Sequence, residues 1–216
     1  ENVDVVKSTI ENLTGKSVDI VLHDFQLGKI KGLALMIDGM CDRNLVTDSI
    51  LRPLKSVDSE DVLNLSGENL LTYVKESVVT ETDIKETAFL DNAMEEAMSG
   101  MFVVFFDTCK TALMFSVQGF QMRGVDEPVS EVQERGAREG FTESFKVNMT
   151  MIRRRLRSPD LRFELMSVGI NGNNRVAICY MESRVKDSIL KEVKKRIAET
   201  EFDMVLSSGY LQPFLD

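Results

Sequence analysis

One layout recurs along this chain and limits its fold more than any other feature: a helix, a two-stranded hairpin, then a second helix. The C-terminal copy is the clearer one. Phe145, Met149, Ile152 and Leu156 recur at i, i+4, i+7 and i+11 behind a capping Thr142, and Ser158-Pro159-Asp160 ends that helix. Strands follow from Leu161 to Val168 and from Arg175 to Met181, around Asn171-Gly172, a dipeptide suited to tight hairpin turns. A last helix from about Lys186 carries Ile189, Leu190, Val193 and Ile197, and Phe202 to Leu206 is a candidate edge strand.

The N-terminal copy places Val5, Ile10 and Leu13 near one face of a helix over residues 2–13, stopped by Gly15. Val18 to Phe25 and Gly32 to Ile37 then read as strands joined by Gln26-Leu27-Gly28-Lys29. Asp42 or Asn44 caps a helix carrying Leu45, Ile50, Leu51 and Leu54, in which Pro53 marks a kink or an early stop. Asp-Ser-Ile-Leu at 48–51 and again at 187–190 supports a shared layout and leaves true duplication open.

Between the copies, helices are expected over Glu68 to Ser77 and Asp83 to Met98, then apolar strands over Met101 to Phe106 and Ala112 to Val117 with a turn at Asp107-Thr108-Cys109-Lys110. From Arg123 to Phe141 charges, glycines and a proline replace the apolar pattern. The expected class is therefore α/β, as two small subdomains over 1–122 and 142–216 joined by a charged linker over 123–141. Each subdomain is expected to hold a mixed sheet with helix-hairpin-helix units and packed helices.

Composition excludes several functions. With 216 residues and 43% hydrophobic residues the chain buries a proper core, and its net charge of -9 argues against a nucleic-acid partner. The longest apolar runs are broken by Asp38 and Asp107, so none crosses a bilayer. Three separated cysteines, Cys41, Cys109 and Cys179, fit a reducing compartment, with Cys179 expected in the core. That compartment leaves the sequons at Asn12, Asn64 and Asn148 unused. His23 is the only histidine, so a zinc site built on two histidines is excluded, and no nucleophile elbow accompanies it. No cofactor and no catalytic residue is expected.

Gly15-Lys16-Ser17 resembles the end of a phosphate-binding loop, but it follows a helix, so a helix stop is the better reading. The arginines Arg153, Arg154, Arg155 and Arg157 fan around their helix, which favours a solvated, salt-bridged face over an anion-binding stripe, while Arg153, Arg154 and Arg155 also stand among the linker and interface candidates. Glu81, Asp83, Glu86, Asp91, Glu95 and Glu96 read as an exposed helix face. Asp38 and Glu182, each closing a hairpin strand, could share a cleft for acid-base work, though polar strand ends are ordinary. The linker carries more information. Arg123, Glu127, Pro128, Arg135, Gly136, Arg138, Glu139 and Gly140 alternate cations, carboxylates and backbone-permissive residues, a pattern suited to a clasp pinned against both subdomains.

These residues carry a family resemblance. Arg123-Gly-Val-Asp-Glu-Pro128, Arg135-Gly-Ala-Arg-Glu-Gly-Phe-Thr-Glu143 and Ile152-Arg-Arg-Arg-Leu-Arg-Ser-Pro-Asp-Leu161 resemble the A subunit of GerA-type spore germination receptors, as do Ile50-Leu51-Arg52-Pro53-Leu54 and Ser208-Gly209-Tyr210-Leu211. Ala137 stands where that family often has proline. The resemblance implies the soluble N-terminal region of a membrane protein, cut from a longer chain whose spanning helices begin after Asp216. It implies a receptor rather than an enzyme, at the spore inner membrane on the core side. Its implied roles are nutrient sensing, signal transmission or receptor assembly. The implied partners are B and C subunits, the chain's own membrane domain and other A subunits in an oligomer. An amino acid or sugar germinant is a further implied ligand, with its binding place left open between this module and the membrane part. The rival reading is a free-standing α/β enzyme or small-molecule binder. A ligand pocket, if the module has one, is expected between the subdomains.

Overall fold

The computed structural model describes residues 2–119, 140–168 and 174–199. Its first part is a five-stranded sheet in the order β1-β2-β4-β5-β3, formed by Ile20–Leu27, Ile30–Ile37, Ile84–Thr87, Phe102–Phe106 and Ala112–Phe115, numbered β1 to β5 in chain order. Helices cover both faces. Helix α1 (Val3–Thr14) and helix α5 (Leu90–Met98) pack on one face. The other is covered by α2 (Arg43–Leu45), a π-helical segment (Val46–Leu51), α3 (Arg52–Lys55), α4 (Gly67–Tyr73) and a second π-helical segment (Val74–Val78).

This sandwich explains the continuous apolar run of β4. Phe102, Val104 and Phe106 point into the core under α4, whereas Val103 and Phe105 point into the core under α1 and α5. A strand buried on both faces has no polar side to alternate with. The α/β class holds. The sheets are antiparallel rather than mixed in every described pairing: β1–β2 and β4–β5 are joined by short turns, whereas β2–β4 and β3–β5 pair across longer connections that carry helices.

The second part is smaller. Strands β6 (Leu161–Val168) and β7 (Asn174–Met181) form a separate antiparallel pair between helix α6 (Phe145–Arg155) and helix α7 (Asp187–Ala198). Leu161 and Phe163 pack with Met149 of α6, while Val168 packs with Ile197 of α7.

Several expectations change. Helix α1 buries Val3, Val6 and Ile10, leaving Val5 and Leu13 exposed, because its stripe begins at Val3, directly after the Asn2 cap. Residues 83–98 are not one helix: β3 pairs with β5 as an edge strand, and α5 starts only at Leu90. Cross-strand pairing with Ala112–Phe115 outweighs the local helical pattern there. The acidic side chains are consequently divided, Glu86 pairing with Lys75 and Glu96 with Lys85. The helical path continues past Pro53 to Lys55, after the π-helical segment has already abandoned the regular ladder that proline would break. Asp42 is the residue that caps, accepting from the amides of Asn44 and Leu45.

The repeated tetrapeptide sits in unlike places. At 48–51 it lies in the π-helical segment with Ile50 buried, whereas at 187–190 it opens α7 with Ile189 exposed. Leu156 and Cys179 are also exposed rather than core. Thr142 does not cap α6 directly: Ser144 holds that position, and Thr142 instead exchanges hydrogen bonds with the Asn148 side chain. The expected turn at Asn171-Gly172 and strand at 202–206 lie outside the described residues.

Candidate functional site

The two sheet-bearing parts meet at a buried polar clasp assembled from the stop of α1. Gly15 and Lys16 both take left-handed backbone conformations, at φ 57 and 58, and turn the chain sharply toward the second sheet. The Gly15-Lys16-Ser17 segment is thus a helix stop, and its product is the placement of Ser17, Val18 and Asp19. The Val18 amide donates to the Phe163 carbonyl at 3.1 Å, and the Phe163 amide donates to the Ser17 hydroxyl oxygen at 2.8 Å.

Asp19 and Arg153 form the centre. Arg153 Nε donates to Asp19 Oδ2 at 2.7 Å and Nη2 to Oδ1 at 3.1 Å, a fork-to-fork pair. The Ser17 hydroxyl donates to Asp19 Oδ1 at 2.6 Å. Arg153 also donates to the carbonyls of Ser158 at 2.6 Å and Leu161 at 3.1 Å, and its guanidinium lies 5.3 Å from the Phe163 ring centroid. Arg153 is 0% exposed and Asp19 2%. Two charges removed from water persist only when paired and hydrogen-bonded, and here nearly every donor and acceptor is used.

Neighbouring contacts widen the joint. Arg162 Nη2 donates to the Leu13 carbonyl at 3.0 Å, while its buried Nε lies 3.6 Å from Glu182 and makes no hydrogen bond. Lys146 and Arg43 both reach the Asp38 carboxylate. Burial opposes ionisation of Asp38, but hydrogen bonds from Arg43 and Lys146 prevail and hold its carboxyl below the usual range. Gly39, at φ 83, lies so close to Thr150 that any side chain there would collide.

Of the sequence candidates, Arg153 is brought into the joint, contrary to the expected solvated face, while Arg154 is half-buried and Arg155 exposed. Arg153 stands four residues after Met149, on the buried stripe, so its core position was written in the spacing. Asp19 gave a fainter signal, a lone carboxylate opening an apolar strand. Asp38 and Glu182 are engaged by different cations and form no acid-base pair. Gly140 is half-buried; Arg123, Glu127, Pro128, Arg135, Gly136, Arg138 and Glu139 lie outside the described residues. Among the described residues no cluster of histidine, cysteine or carboxylate groups is set to hold a metal.

The sequence matches, over residues 8–216, the family described as Bacillus/Clostridium GerA spore germination protein. This chain belongs to the GerA family. Spore germination protein KA of Bacillus subtilis (strain 168) is 31% identical over 205 residues, covering 94% of this chain and 37% of that protein. The membrane protein YfkQ of the same organism is 31% identical over 218 residues, covering 98% of this chain and 41% of that protein. The GerA chain thus spans about two fifths of the length of these curated relatives. The crystal structure of the N-terminal domain of the A subunit of the Bacillus megaterium spore germinant receptor GerK3 superposes with a TM-score of 0.73 at 26% identity, covering 97% of this chain and 76% of that one. No described helix of this GerA chain is long and apolar enough to cross a membrane.

Proposed function

We propose that this chain is the N-terminal module of a germinant receptor A subunit, with no enzymatic role, and that it carries a nutrient signal or assembles the receptor by holding its two subdomains in one geometry. The observation that carries this reading is the Asp19–Arg153 pair, which ties the start of β1 in the first part to α6 of the second through buried charge. A fixed joint of this kind passes a displacement of one body to the other, where a flexible tether would absorb it. The family membership and the likeness to the GerK3 domain support the setting: a membrane part beyond this module, at the spore inner membrane with the module on the core side. B and C subunits and further A subunits are the partners in this proposal, and an amino acid or sugar is the germinant.

The subdomains in this reading span 1–122 and 142–216, with the charged strip 123–141 as a second tie that Arg138 and Glu139 hold in one geometry and so couple to the rest of the receptor. The test is a germination assay in spores carrying Arg153→Ala, Asp19→Asn, Arg138→Ala or Glu139→Ala in the full-length receptor, with subunit levels followed by immunoblot. Single alanines at Arg154 and Arg155 are the comparison. Loss of nutrient response or of receptor in the first group, with the comparison variants near normal, is the expected result. Normal receptor levels and germination throughout would reduce the joint to a structural tie.

A further inference from the structure

A second site lies within the first subdomain, away from the clasp. A cavity of about 230 Å³ opens between the first turns of α1, the segment joining β3 to α5, and the β4–β5 turn. Its walls include Val3, Val6, Leu90, Phe105 and Ala112, and Phe89, 71% exposed, stands at its mouth. This cavity and a second one beside it are both lined by residues of the five-stranded sheet and its helix α1 and connecting segments.

Two features give the cavity at α1 a chemistry. Lys110 is the sole charged side chain among its described lining residues, on a chain whose net charge is -9. The turn that carries Lys110 is also held in place at a cost. Thr108 adopts φ 71, a left-handed conformation that a β-branched residue rarely takes, and the neighbouring Asp107 carboxylate accepts from the Val3 amide at 2.8 Å, tying the turn to α1. Strain of this sort persists only where the surrounding structure imposes it, and it clusters at ligand sites.

We propose that this cavity binds a small organic monoanion, a carboxylate with a short branched aliphatic or aromatic tail. The tail occupies the apolar walls, and the carboxylate meets Lys110 at the rim. Water molecules take about 30 Å³ each in the liquid, so the space matches a ligand of fewer than roughly ten heavy atoms. Such a pocket of apolar walls with one placed polar group is the usual form of a small-molecule site. The assignment is independent of the coupling role proposed above.

The test is a chemical-shift titration of the 216-residue chain with 4-methylpentanoate and, as a neutral isostere, 4-methylpentan-1-ol. The acid is expected to shift the methyl signals of Val3, Val6 and Ala112 saturably and to bind more tightly than the alcohol. Lys110→Gln should weaken the acid about fivefold, the scale of one exposed ion pair, and leave the alcohol unchanged. Ala112→Leu should abolish both, and Thr9→Phe at the rim gives the same reading if the first variant does not fold. Equal affinity for acid and alcohol, indifference to Lys110→Gln, shifts centred elsewhere, or no saturable shift would each overturn the proposal.

Discussion

Asp19 and Arg153, 134 positions apart in sequence, meet through two hydrogen bonds in a place that water does not reach. A buried pair is poor evidence of net stabilisation, because desolvation offsets much of the attraction, but losing one partner strands the other. Asp19→Leu or Arg153→Met alone is therefore expected to destabilise the chain by about 3–5 kcal/mol, and the double variant by less than the sum of the two. Arg155→Ala, on the exposed side of the same helix, should cost less than about 1 kcal/mol. Urea unfolding of the four variants measures this; additive single effects would show that the two side chains act separately.

The stop of α1 offers a second test. Gly15 sits at φ 57, and a Cβ there would strike Arg162 Nε, whereas Gly67 sits at φ 56 with nothing within 4 Å. Both alanine variants bear the left-handed penalty of about 1–2 kcal/mol. Only Gly15→Ala also displaces Arg162 from the Leu13 carbonyl. It should be the more destabilising of the two in thermal melts, and equal losses would mean that Arg162 yields freely.

The sequence showed elements whose pattern is set locally and missed those set by contact at a distance. Strand β6 has the expected bounds, because a helix stop and a turn signal set them locally, and β4 begins one residue inside the expected span from Met101 to Phe106, a continuous apolar run that fits a doubly covered strand. Strand β3 was hidden, since its charged Lys85 and Glu86 look helical until β5 is beside them. Likewise the arginine run suggested solvent exposure as a group, although only position 153 falls on the buried stripe. Its partner, Asp19, could not be named from spacing, because the joint depends on how two sheets dock.

The Asp38 carboxylate links the turn after β2 to α6 through Lys146, and its pH response has a definite sign. Its folded-state pKa lies below the ordinary 3.8, despite opposing burial, because of Arg43 and Lys146. The stabilisation is therefore complete above the unfolded-state value and is lost as pH falls through the folded one. Asp38→Asn should melt at a lower temperature than the parent at neutral pH, with the gap closing on acidification below 3.8. A gap that stays constant with pH would assign the effect to hydrogen bonding alone.

The cysteines should separate by accessibility. Cys179 is exposed on β7, whereas Cys41 and Cys109 are buried, with thiols bonded to the carbonyls of Gly100 and Gly67. Burial pushes the Cys41 thiol up to about 12, so at mildly alkaline pH it has almost no thiolate with which to attack an alkylating agent. Burial raises Cys179 too, but its sulfur can be reached. Iodoacetamide followed by mass spectrometry is expected to label Cys179 first, with Cys41 and Cys109 reacting only as the core of the five-stranded sheet opens. Their labelling rates then report that opening directly, and Arg153→Met should leave them little changed if the five-stranded sheet keeps its own core when the clasp is lost. Rapid labelling of Cys41 in the unmodified chain would contradict its place beneath Gly100.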